Sequence, residues 1–256
     1  LQVLKKGEEM IVAVCGKGGV GKTTIAAIAA KEFSQKEGIK ALIVDADPAG
    51  GLCMALGITP EKTINDVREE IIREVKAGLR DERDLAVSID YLLSTAIHEY
   101  KNLAILSIGR PEDEGCYCKV NVILKDAIEG LAGNFDLAII DAEAGIEQVN
   151  RKVLSPIDYM LLITDMSVKG LRVAETIFTV GKRMTAMRGA GLVFNRASNP
   201  IDSFLTNIQS SIQVLGVIPE DETVKRFDEE GRSFLDIPPC PAQKVISSIL
   251  KRIGLV

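Results

Sequence analysis

The sequence predicts an α/β fold with a doubly wound, mostly parallel sheet, and three observations point to it. Short apolar runs without polar alternation recur along the chain, helical patterns separate them, and a glycine-rich loop joins the first run to the first helix. Unalternating runs are what strands buried on both faces look like, and strands separated by helices pair in parallel. The first strand reads Met10-Ile11-Val12-Ala13-Val14-Cys15, and the loop after it opens a helix expected over 23–36. Further strands are expected over 41–44, 103–106, 137–140, 160–163, 192–194 and 214–218, with helices over 120–131, 168–187 and 203–210. The charged stretch 59–83 reads as a helical decoration of the sheet with a solvated face. Near the end, Val245, Ile246, Ile249, Leu250 and Ile253 form one helical stripe beside Lys244, Lys251 and Arg252. Such a stripe suits a membrane surface or a sheet face, and packing on the sheet is the preferred reading.

Composition bounds the function. A chain of 256 residues with 46% apolar side chains can bury one substantial core, so residues 10–256 are expected to form a single domain. Residues 1–9 are polar and read as an appended remnant or a loose arm. The formal charge is −5 and no dense Lys/Arg block occurs, which argues against nucleic acid as a partner. No apolar run reaches the length of a membrane span and no hydrophobic signal core is present, so a cytoplasmic protein is expected. In a reducing compartment the five cysteines are not expected to form structural disulfides. Cys15, Cys53 and Cys240 lie in apolar or proline-flanked segments and read as packing residues, and His98, the one histidine, as structural.

The segment Gly16-Lys17-Gly18-Gly19-Val20-Gly21-Lys22-Thr23-Thr24 has the form of a phosphate cradle. Glycines let backbone N–H groups converge on phosphate oxygens, Lys22 supplies a point charge, and the Thr23 hydroxyl can hold Mg²⁺. A nucleotide would therefore lie against Gly18, Gly19, Val20, Gly21, Lys22, Thr23 and Thr24. Two carboxylate sets close later strands: Asp45-Ala46-Asp47-Pro48, and Asp141-Ala142-Glu143-Ala144-Gly145. In a fold of this kind ligands sit at the carboxyl ends of strands, so Asp141 is assigned to Mg²⁺ and Asp47 to the attacking water. Asp45 is read either as part of this set or as a loop or helix-cap residue.

The extra lysine at the start of the loop carries a resemblance. The string Lys17-Gly18-Gly19-Val20-Gly21-Lys22-Thr23-Thr24 resembles the deviant Walker A motif of the P-loop ATPases that include MinD, ParA, the nitrogenase iron protein and the CooC-type nickel-insertion proteins. The resemblance implies a nucleotide-sandwich homodimer in which Lys17 reaches the partner subunit's phosphates, with the logic of an arginine finger. It also implies that Asn195 reads the adenine edge and that the backbone near Pro219 packs on the ring. The stretch Asp141-Ala142-Glu143-Ala144-Gly145-Ile146-Glu147 is similar to the second switch loop of the CooC-type members, with Gln148 where a histidine is expected.

Cys116 and Cys118 flank Tyr117 between an acidic loop, Glu112-Asp113-Glu114, and the start of a helix. Thiols near a helix N-terminus favour the thiolate, and one pair fills half of a four-coordinate shell, so two chains would complete a Cys₄ site. That donor set suits Zn²⁺, Ni²⁺ or an Fe–S cluster. The Gly115-Cys116-Tyr117-Cys118 segment resembles the C-x-C motif of the CooC-type nickel-insertion ATPases. Three functions follow from these resemblances: an ATP-dependent metallochaperone delivering Ni²⁺ to carbon monoxide dehydrogenase, an electron carrier with a bridging Fe–S cluster, or a MinD/ParA-like positioning ATPase. The expected ligands are ATP or ADP, Mg²⁺ and Ni²⁺, with Zn²⁺ possible at the same thiols.

Overall fold

Each apolar run becomes a strand because successive side chains point to opposite sides of the sheet and both sides are covered. The computed structural model describes residues 10–79, 82–110, 118–142, 157–184, 187–197 and 210–255. In chain order the first half comprises β1 (Met10–Gly16), α1 (Lys22–Ser34), β2 (Ala41–Asp45), α2 (Gly51–Ala55), α3 (Ile64–Lys76), α4 (Glu82–Ser94), β3 (Ile97–Tyr100), β4 (Leu103–Ser107) and α5 (Cys118–Ala132). There follow β5 (Leu137–Asp141), β6 (Tyr159–Thr164), α6 (Val168–Met184), β7 (Gly189–Ala197), β8 (Val214–Pro219), α7 (Glu222–Glu229), a 3₁₀ turn (Phe234–Asp236) and α8 (Pro241–Arg252).

Among the described residues eight strands form one sheet in the order β3-β4-β2-β5-β1-β6-β7-β8. All neighbours are parallel except β3, which pairs antiparallel with β4 at the edge. The central strand β1 lies between β5 and β6, where the winding reverses, and it feeds the glycine loop. Ile11, Ala13 and Cys15 pack on one face with α3, α4, α5 and α6. Met10, Val12 and Val14 pack on the other with α1, α2 and α8. Phe33, Phe194, Phe227 and Phe234 are fully buried, and each such side chain contributes roughly 1.5–3 kcal/mol of burial free energy.

Polar residues fix how the helices meet the sheet. The Asn102 amide nitrogen donates to the carbonyls of Phe33, Lys36 and Ile39 at 2.8, 3.1 and 2.6 Å, which ties the end of α1 to the approach of β2. Asp221 accepts from the backbone N–H groups of Thr223 and Ala242, both at 2.9 Å, and so joins the N-termini of α7 and α8. Those N–H donors, working against burial, hold its carboxyl below the usual range. Thr63 and Asp66 form a reciprocal capping box at the start of α3.

The predicted fold class is the observed one. The stripe on α8 is spent on the core: Ile246, Ile249, Leu250 and Ile253 are buried. The helix expected over 168–187 is observed as Val168–Met184, and the one expected over 203–210 lies outside the described residues except for its last position. Strand β3 was not anticipated because Ile97-His98-Glu99-Tyr100 is short, half-exposed and lacks an unbroken apolar run, as an edge strand allows. His98 sits on that edge strand.

Candidate functional site

The carboxyl ends of β1, β2, β5, β6 and β7 converge around the loop Lys17–Gly21. Gly21 has φ +90° and serves as the N-cap of α1. A Cβ there would stand 2.4 Å from the Asn195 amide nitrogen, so the position demands glycine on both backbone and packing grounds. No side chain caps α1 and no acidic residue occupies its first turn. Its free N–H groups and positive dipole end are therefore available to an anion.

Lys22 is buried, and its ammonium donates to the Lys17 carbonyl at 3.4 Å. Thr23 follows it and faces Gly51 at the start of α2, where a Cβ would meet the Thr23 hydroxyl at 3.9 Å. Asp141 ends β5 in register with Val14 of β1 and Asp45 of β2. It is 1% exposed, and among the described residues neither carboxylate oxygen has a partner within hydrogen-bond geometry, the Thr23 hydroxyl being a nearby donor that acts on it. Burial pushes its pKa up to about 7, Asp45 and Asp47 push the same way, and the nearby Thr23 hydroxyl and Lys22 ammonium oppose them. An orphaned buried carboxylate beside a hydroxyl and a cradle of N–H donors is a donor set that fits Mg²⁺.

Asp45 is fully buried; it accepts from the backbone N–H of Cys53 at 2.9 Å and of Asp47 at 3.3 Å. Burial raises its pKa and those N–H groups pull it back. Through the Cys53 bond Asp45 ties the first turn of α2, whose N-cap is Gly50, to the end of β2. Asp47 stands on the rim of the site and its Oδ1 accepts from the Ala49 N–H at 2.8 Å, closing a turn. Lys17 is half-exposed and pairs with Asp165 after β6 at 3.8 Å.

On the other side of the loop, β7 delivers Asn195 and Arg196. The Asn195 amide donates to the Val20 carbonyl at 2.8 Å, and the Arg196 guanidinium donates to the Gly19 carbonyl at 3.3 Å. Arg196 adopts φ +55°, a conformation costly for a side chain of its size. Both line a cavity of about 310 Å³ whose walls include Ile25, Ile28, Ile218 and Pro219. Its apolar floor and the polar rim that includes Glu220, Glu222 and Lys225 suit a small ring system bearing polar groups. Asn195 thus holds the loop as well as lining the cavity, a double role that the sequence did not reveal. Arg196 and Asp165 were missed altogether. The rule that singled out Asp45 and Asp141, a carboxylate at the end of a buried strand, would have found Asp165.

Cys118 is the first residue of α5; Cys116, Glu112, Asp113 and Glu114 lie outside the described residues, as do Glu143 to Gln148. Among the described residues no group of three or more His, Cys, Asp or Glu is arranged to hold a metal. Cys15, Cys53 and Cys240 are buried free thiols, and burial pushes the first two up to about 12, so they are packing residues as expected.

The Asp141 carboxyl gives the nucleotide-free protein a pH signature. Its native pKa lies above the ordinary value of 3.8, so the native state holds a proton that the unfolded chain has lost between about pH 4 and 7, and stability falls as pH rises through that window. Asp141→Asn removes this penalty. In denaturant unfolding without Mg²⁺ the variant should gain about 2–4 kcal/mol over wild type at pH 8 and nothing at pH 4; parallel stability profiles would refute the assignment.

The CobQ/CobB/MinD/ParA nucleotide binding domain matches residues 11–234. The uncharacterized ATP-binding protein MJ0685 of Methanocaldococcus jannaschii is 34% identical over 90% of this chain and 92% of its own length. The carbon monoxide dehydrogenase accessory protein CooC of Rhodospirillum rubrum is 25% identical over 96% of this chain and 98% of its own. The septum site-determining protein MinD of Pyrococcus horikoshii, solved as a complex with Mg-ADP, superposes with a TM-score of 0.66 over 97% of each chain at 22% identity, a likeness of fold. The chain belongs to the CobQ/CobB/MinD/ParA nucleotide-binding family and is a P-loop ATPase of the MinD/ParA type.

Proposed function

We propose that this ATPase works as a homodimeric switch that carries Ni²⁺ to a client metalloenzyme of the carbon monoxide dehydrogenase class. The observation that carries its nucleotide chemistry is Asp141, a buried carboxylate that no backbone N–H among the described residues satisfies, set beside Lys22 and Thr23 at the mouth of the glycine loop. Asp141 and Thr23 hold Mg²⁺, which supplies positive charge to the β- and γ-phosphates when bound. The loop N–H groups from Gly18 to Thr24 and the Lys22 ammonium bind the phosphates. The cavity between α1 and β8 takes the adenine, with the Asn195 side chain at its edge and Pro219 against the ring. Asp47 orients water, and Lys17 of each subunit stabilises the phosphoryl group on the other, so turnover is tied to dimer closure.

The nickel step rests on Cys116 and Cys118 and on the 25% identity with CooC along nearly the whole of both chains. Two thiols from each of two subunits make a four-sulfur site across the dimer axis, and closure and opening change its geometry. Zn²⁺ fits the same donors, and an Fe–S cluster there would make the protein an electron carrier instead. A positioning ATPase is a second reading, supported by the likeness to MinD. Against it stand the net charge of −5 and the absence of a Lys/Arg block for nucleic acid, together with the burial of the apolar stripe of α8. No described helix is long and apolar enough to cross a membrane.

Lys17→Ala should keep nucleotide affinity and lower phosphate release by about 10³-fold, the scale of a lost cation supplied in trans; hydrolysis at the wild-type rate would remove Lys17 from that role. Cys118→Ala should leave ADP binding by the monomer intact and abolish metal-dependent dimerisation, read by mass determination with metal analysis. Unchanged metal stoichiometry would reject the thiol site, and ATP-dependent sedimentation with liposomes or DNA would favour the positioning reading.

A further inference from the structure

The contact between Lys17 and Asp165 has no place in hydrolysis by a closed dimer, because a lysine engaged with the partner's phosphates cannot also remain on its own subunit's carboxylate. Lys17 follows the end of β1 and Asp165 follows the end of the neighbouring strand β6, with Gly16 and Ile163 in register just before them. The two charged groups are 3.8 Å apart, and their side chains are 36% and 42% exposed. Lys22 is the other cation of this loop and its ammonium points back to the Lys17 carbonyl. Asp165 gives the Lys17 ammonium an anionic contact of its own.

The Asp165 side is built to hold a carboxylate with or without the lysine. Its Oδ1 accepts from the Ser167 hydroxyl, and the same hydroxyl accepts from the Gly170 N–H at 2.9 Å in the first turn of α6. The carboxylate stands just before the N-terminus of that helix, where negative charge is favoured. Gly170 leaves the room: a Cβ there would fall 2.2 Å from the Asp165 Oδ1 and 2.6 Å from the Thr164 hydroxyl. When Lys17 departs, Asp165 keeps the hydroxyl and the helix end, so release strands no buried charge. An exposed pair of this length is weak, and a triphosphate carries several negative charges against one.

We propose that Asp165 is a positioning residue that parks Lys17 on its own subunit and sets the threshold for dimer closure, each subunit exchanging its Lys17–Asp165 contact for a contact with the other's nucleotide. This rests on the reading that Lys17 acts in trans. A two-fold dimer must break two such contacts, so removing them should tighten the dimer by the square of one contact's effect, about 2- to 30-fold.

The test is sedimentation equilibrium of the full chain with Mg²⁺ and a non-hydrolysable ATP analogue. At about 50 mM salt Asp165→Asn should lower the dimer dissociation constant 2- to 30-fold, and the gap from wild type should close at about 0.5 M salt, where exposed charges are screened. Asp165→Glu should restore the wild-type constant. Gly170→Ala, which displaces the carboxylate without removing it, should shift the constant in the same direction as Asp165→Asn. A wild type that dimerises with nucleotide beside an Asp165→Asn variant of equal or weaker association overturns the parking role and leaves Lys17 in trans untouched. A gap that persists unchanged at high salt overturns it as well. A wild type that stays monomeric with nucleotide refutes the dimeric reading and this role with it.

Discussion

Two carboxylates on adjacent strands, Asp45 and Asp141, enter the protein interior side by side, and the site is organised by the different ways in which their charge is met. Asp45 is satisfied from within: the N–H groups of Cys53 and Asp47 bond to it, and this fixes α2 and the turn beside the nucleotide loop. Asp141 receives no such bond. Desolvation makes its charge costly in the empty protein, and a cation beside Thr23 removes that cost. The same burial that penalises the ionised group would favour any cation that came to lie beside it. On the proposed assignment of Asp141 to Mg²⁺, cation binding and deprotonation of this carboxyl would be linked for this reason.

Around this pair the glycine loop is held from both sides by strand ends rather than by its own sequence. Asn195 and Arg196 on β7 bond to the Val20 and Gly19 carbonyls. Their grip joins one wall of the cavity to the glycine loop, since Asn195 and Arg196 both line the cavity and bond to loop carbonyls. The unfavourable φ of Arg196 coincides with an irregularity in the pairing of β7 with β8 between Phe194 and Ala197. On the opposite side β6 supplies Asp165 to Lys17. A parallel sheet makes this economy possible, because all its strands but the β3 edge end on one side and every turn there can contribute a polar residue to the same crevice.

Much of this was legible in the chain. Unalternating apolar runs marked β1, β2, β4, β5, β6, β7 and β8, since a strand covered on both faces has no polar positions to interrupt it. Edge strand β3, helix α4 and the short helices α2 and α7 escaped: β3 is half-exposed and four residues long, and α2 and α7 span too few turns for a period to register. Lys22, Thr23 and Asp141 were recognisable by residue type and position after a strand. Asn195 was recognisable by resemblance, and its bond to the loop was not.

The sequence by itself determined the sheet, the phosphate loop and the chemistry of its residues, because apolar periodicity and the spacing of glycine, lysine and threonine are local properties written along the chain. Tertiary structure alone decided which of the neighbouring acids Asp45 and Asp141 is satisfied, that Lys17 meets Asp165, and that Asn195 and Arg196 grip a loop 175 and 177 residues before them. Those outcomes depend on which strands lie side by side and how deeply each side chain is removed from water, and neither desolvation nor long-range proximity leaves a mark in the local sequence.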